Sequence, residues 1–264
     1  MLEQLRYDMI TGLFHHKKRA LLVIISVLLT YVFMCFSYRG LINTADFIKL
    51  LFSGMSYITD EKRFVIPNGI WLAINLVLAF HIGMIVNDDL GSYGKLRLMK
   101  VGSRIKWWMA KVVLVSASVV AYYMLILAAA CSTAIISLIC RTVVVNVSII
   151  QNITVPECMK AIAMLVSVSI MISIVQAVIT LIDYKIGIVC VGLFMAYTMY
   201  DRTHAFIGNY LMLMRYYQGI NNYIVNVSIV YGVIIMASIV GIIIVKKCAI
   251  YICCLLYTSD AADD

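Results

Sequence analysis

Charge and proline are what this chain has least of. Only 13% of its 264 residues are Asp, Glu, Lys or Arg, and two are proline. A water-soluble domain carries charge on about a quarter of its residues, so that class is excluded. The eight cysteines show no metal-ligand spacing, which removes the small zinc and disulfide scaffolds. Cys140 and Cys158 flank one loop and could pair, with free apolar packing the preferred reading. There is no G-x-x-x-x-G-K-[ST] phosphate loop, so ATP is not bound in that way. Serine, histidine and acidic residues nowhere form a nucleophile–base constellation. No convincing repeat of residues 1–125 recurs in 126–250, as it does in many carriers. No arginine-rich, aromatic-interleaved surface suggests nucleic acid.

What is present is apolar. Hydrophobic residues make up 64% of the chain, and mean hydropathy is +0.99. Stretches free of charge occur at 20–38, 69–86, 112–139, 161–182, 186–200 and 223–245. Five reach the roughly 17–25 residues that cross a bilayer as helix. The fifth in order, 186–200, is short for a crossing and reads as a thin span or a re-entrant segment. The expectation is an all-α membrane protein with six transmembrane helices. The HHKKR approach to the first run resembles a signal peptide, but no small-residue cleavage site follows, so the run stays as the first span.

Basic residues set the orientation. With six spans, thirteen Lys and Arg fall on the side of the N-terminus and eight on the other. Both termini are therefore expected in the cytoplasm. The last eleven residues, 254–264 (CLLYTSDAADD), resemble the in-frame translation of a sequencing adapter and are set aside, leaving 1–253 as one transmembrane domain. Asp260, Asp263 and Asp264 go with them, which raises the net charge from +8 to +11.

Three segments outside the spans carry the functional information. In MLEQLRYDMITGLFHHKKR, residues 1–19, Leu2, Leu5, Met9 and Leu13 recur at steps of three and four, predicting an interfacial amphipathic helix. The cytoplasmic connection 87–111 opens with Asp88 and Asp89, carries six basic residues and ends near Trp107 and Trp108. The tryptophans suit headgroup depth and are read as interface anchors. Loops that only connect spans need no apolar face, yet this one holds Leu90, Tyr93, Leu96, Leu98 and Met99. On the opposite side, 201–222 has an apolar middle too short to cross, which predicts short helices dipping back against protein.

Polar groups within the runs are few. Asn75 and His81 fall in the second and Gln176 in the fourth, each expected to bond a neighbouring helix. Asn75 and His81 are six apart and so not on one helical face. Asp183 and Lys185 mark a tight inner turn. His15 and His16 cannot share a metal with His204 across the membrane. Two sequons, at Asn146 and Asn152, lie in a Val- and Ile-rich outer loop.

The amphipathic start, the basic run GKLRLMKVGSRIKWWMAK and the broken excursion YDRTHAFIGNYLMLMRYYQGINN together resemble a type-2 ABC transporter permease. By texture the nearest are the small permeases of Gram-positive bacteria tied to peptide export or bacteriocin immunity. The resemblance covers residues 1–247. It implies a bacterial cell-membrane subunit that works as a homodimer or beside a sister permease. It also implies a separate cytoplasmic ABC ATPase that binds ATP and Mg, with no cofactor in this chain. Carried onto this sequence, Tyr93, Leu96, Arg97, Met99 and Lys100 would lie in the ATPase-docking coupling helix, with Asp88 and Asp89 helping to fix its angle or contacting basic residues on the partner. A peptide, lipid-like or drug-like substrate would be moved or extracted. An ATP-independent carrier or channel is the alternative, and no enzyme is read.

Overall fold

In apolar surroundings a backbone must satisfy its own hydrogen bonds, and a helix does so within one segment. The uncharged runs accordingly become helices in the computed structural model, which describes residues 17–38, 40–57, 69–90, 103–140, 144–145, 155–203, 206–219 and 223–260. They are α1 (Lys17–Tyr38), α2 (Thr44–Phe52), α3 (Gly69–Leu90), α4 (Arg104–Cys140), α5 (Val155–Thr180), α6 (Tyr184–Tyr200), α7 (Leu213–Gly219) and α8 (Tyr223–Asp260). A 3-10 turn, Ile207–Leu211, precedes α7, and β1 (Leu41–Ile42) pairs with β2 (Val144–Val145).

Among the described residues, four helices contain stretches long and apolar enough to cross a membrane: Gly69–Asn87, Arg104–Thr133, Pro156–Thr180 and Tyr223–Lys247. The apolar stretch of α1, Val23–Ser37, is shorter, and α6 has 17 residues. The expected six crossings therefore resolve, on length and composition, into four long helices and two short ones. The adapter-like tail does not interrupt α8, which is helical through Asp260.

Helix α5 is the axis of the bundle. It packs against α3, α4, α6 and α8, and 61% of its apolar window is inside the protein, against 11% for α8. Helix α1 rests on α4, and α3 lies against α5 and α6. Polar side chains pin these seams. Tyr122 Oη donates to Ile74 O at 2.8 Å, joining α4 to α3. Trp108 Nε1 donates to Ser238 O at 2.9 Å, joining α4 to α8.

The connections sort by end. The β1–β2 pair is parallel, with Leu41 opposite Val144 and Ile42 opposite Val145. Because β1 follows α1 and β2 follows α4, those two helices run in the same direction. Between β1 and α3, where no long charge-free run predicts an element, α2 forms. Asn43 caps it, accepting from Ala45 N at 3.2 Å, and Asp46 pairs with Lys49 at 3.6 Å. Phe47 is fully buried and meets Tyr31 of α1 edge to face at 5.0 Å. At the opposite end, the 181–183 turn brings Asp183 to cap α6, accepting from Lys185 N at 2.7 Å and Ile186 N at 3.3 Å. The expected topology marker is thus also a helix cap.

Candidate functional site

The excursion between α6 and α8 is the most elaborately built part of the molecule. Its 3-10 turn packs on α5 and α6, and Tyr210, Leu211, Met212 and Leu213 are buried. Two bonds tie it to the segment after α2 and to the start of α3. Met214 N donates to Ser53 O at 3.1 Å, and Trp71 Nε1 donates to Leu211 O at 2.8 Å. Gly54 makes the close approach possible: its φ is +65°, and any Cβ there would collide with Met212.

Arg215 is the hub of this cap and is only 1% exposed. Its Nε donates to Met55 O at 3.0 Å, and its Nη1 to Thr198 O at 2.5 Å and Asn209 Oδ1 at 2.7 Å. Its Nη2 donates to Met199 O at 2.6 Å. Thr198 and Met199 close α6, where helix carbonyls lack intrahelical partners and the dipole favours a cation. One guanidinium therefore caps α6 and holds the segment after α2 together. The Tyr57 ring lies 4.9 Å from Cζ, within cation–π range.

An acid balances the cation through an amide. Asn209 Nδ2 donates to Asp201 Oδ2 at 3.3 Å and to Thr203 O at 2.7 Å, while Thr203 Oγ1 donates to the Asp201 carboxylate at 2.9 Å. Burial pulls the Arg215 guanidinium down from its ordinary pKa, opposed by Tyr57 and Asp201. Burial likewise pushes the Tyr216 phenol up to about 12, with smaller contributions from Tyr223, Glu157 and Tyr210. The arrangement supplies fixed charge and rigid attachment.

The second polar region lies inside the helices. Asn75 is buried and donates from Nδ2 to Trp71 O at 2.8 Å, within its own helix. Gln176 donates from Nε2 to Ala79 O at 2.7 Å, between α5 and α3. The expected interhelical bond is thus made by Gln176, whereas the Asn75 amide bonds locally. Both line a small chamber with Leu78, Ala79, Ser169, Ile172, Ser173, Val191 and Met195. His81 is half-buried and outside that lining.

Trp107 and Trp108 were expected as lipid-interface anchors, but both rings are buried in protein. Trp108 sits so close to Gly241 of α8 that a Cβ there would overlap the indole, and Lys111 lies 6.0 Å from the Trp107 ring. A helix seam holds them. Asp88 and Asp89 fall in the last turn of α3. Tyr93, Leu96, Arg97, Met99 and Lys100, the amphipathic start before Lys17 and both sequons lie outside the described residues. Cys158 is a free thiol.

Sequence reading missed Arg215, which it counted only as an outer positive charge, and Asp201 and Asn209 with it. Nothing in their spacing signals a network assembled from three separate segments. Ser169, Ser173, Gln176 and Thr180 are different: their steps of four, three and four are visible in the sequence as one helical face. Comparison with protein-family models, curated proteins and solved structures gives no match.

Proposed function

We propose that this chain is the membrane-spanning permease subunit of an ATP-driven ABC exporter, a multi-pass protein of the bacterial cell membrane with both termini in the cytoplasm. In this reading α1 and α6 cross as well, giving six spans. Helix α6 supports that count: it leads from the 181–183 turn to the cap beside the start of α3, a length of about 26 Å at 1.5 Å per residue. The observation that carries the proposal is the broken, protein-docked excursion 201–219 between the last two crossings, held by Arg215. Such an excursion is one of the three features on which the resemblance rests.

The segment after Asp88 and Asp89 would dock a separate cytoplasmic ATPase carrying ATP and Mg, and two permease halves, identical or sister chains, would enclose the path of a peptide, lipid-like or drug-like substrate. Sequencing the DNA around the gene and co-expressing any adjacent frame with a phosphate loop tests this. The ATPase is expected to co-purify with the full chain and to be lost from a Tyr93→Asp, Met99→Asp variant at equal expression. Retention by that variant, or no retention by the wild type, refutes the docking role. A carrier or channel is the second reading, favoured by the polar chamber within a single bundle.

A further inference from the structure

Helix α5 carries Ser169, Ser173, Gln176 and Thr180 at steps of four, three and four, and none is more than 3% exposed. That recurrence places them in one row on one helical face. The row faces α3 and α6, and its middle meets Asn75 at the chamber.

Hydrogen-bond accounting separates spent groups from unspent ones. Asn75 Nδ2 is engaged by Trp71 O, and Gln176 Nε2 by Ala79 O. Ser169 is shared with Tyr123 at 2.7 Å. Asn75 Oδ1, Gln176 Oε1 and Ser173 Oγ have no protein partner among the described residues. Two of these accept only, and the hydroxyl both donates and accepts. Their complement is a small neutral molecule with two O–H donors and a lone pair. The lining contains no carboxylate or cation, so a bound ion would have no countercharge. The space for a water centre is about 10 Å³, close to what a single water requires.

Both ends of the row are fixed by protein contacts. The Tyr123–Ser169 bond holds one. At the other, Gly187 of α6 packs so tightly that a Cβ there would lie 2.6 Å from Thr180 Oγ1.

We propose that α3, α5 and α6 form a hydration site in which one ordered water joins Asn75 Oδ1 of α3 to Gln176 Oε1 and Ser173 Oγ of α5. The water supplies a second link between α3 and α5 beside the direct Gln176–Ala79 bond. It also leaves polar groups that exchange partners without breaking a protein–protein bond. This inference is independent of the permease reading.

X-ray radiolytic footprinting of the full-length protein in micelles tests it, because hydroxyl radicals formed on a bound water oxidise the adjacent thioether to the sulfoxide. Met195 lines the chamber. Met164 is equally buried, on α5 but outside the lining. Met195 is expected to oxidise several-fold faster than Met164, and an Asn75→Leu, Ser173→Val variant to lose that excess. Equal rates in the wild type overturn the proposal whether or not any variant folds. Persistence of the excess in a folded double variant also overturns it.

Discussion

Replacing Arg215 by Met removes the cation that four acceptors share, while roughly preserving the side-chain length. Three backbone carbonyls and Asn209 Oδ1 lose their donor, and Asp201 loses the charge that balances it. Hydrogen bonds to a charged group contribute about 1.5–3 kcal/mol each. Against their loss stands the relief of no longer burying a guanidinium, worth several kcal/mol. Breaking a buried charged network from one side leaves a net cost of about 3–5 kcal/mol. Arg215→Lys keeps the charge but cannot reach Met55 O and the α6 carbonyls as a planar fork, so a smaller loss of about 1–3 kcal/mol is expected. Hydrogen exchange reads the effect locally. The amides of 207–216 should exchange faster in Arg215→Met by about two to four orders of magnitude, since each 1.4 kcal/mol is tenfold. Amides in the middle of α5 should keep their protection. A variant with unchanged exchange in the cap, or a Lys variant worse than the Met one, would refute the hub assignment.

Two further perturbations probe other contacts. Gly241→Ala puts a Cβ into the Trp108 indole and should lower stability in a detergent melt by about 1–3 kcal/mol, as overpacking does; Gly232→Ala, which meets nothing within 4 Å, should not destabilise. Alkali should loosen the cap: Tyr216 titrates near 12 when folded and near its ordinary 10.0 when unfolded, so its contribution is complete below pH 10 and is lost as pH rises through 12. Thermal melts across that window should show the decline, and Tyr216→Phe should shallow it; an identical slope in the variant would rule Tyr216 out as a source.

The helices were legible because their cause is compositional. An uncharged run of sufficient length has to bury its backbone bonds, and 69–86, 112–139, 161–182 and 223–245 each became a long helix. The excursion at 201–219 was legible for the complementary reason, an apolar core too short to cross. Helix α2 was not, because a nine-residue element opened by Asn43 and packed under α1 leaves only a weak local trace. The seam entered by Trp107 and Trp108 was not legible, because interface tryptophans and seam tryptophans have the same sequence context; Gly241, the residue opposite Trp108, lies on another helix. Arg215 entered the sequence reading only as one of the eight basic residues on the side away from the N-terminus. Its three carbonyl partners come from backbone, which has no sequence signature.

The two-residue ribbon joining Leu41–Ile42 to Val144–Val145 has a consequence for how such a chain is made. Its strands are separated by two crossings in the proposed topology, and a parallel pair forms only when both emerge on one face. If α3 failed to insert, or α4 stalled halfway, β1 and β2 would be left about 30 Å apart across hydrocarbon, and Ile42 would have no partner strand to close over it. In that topology the ribbon would act as a parity check on biogenesis. It closes only after an even number of insertions has succeeded, and a chain with a missed insertion would leave bare strand edges open to quality-control proteases.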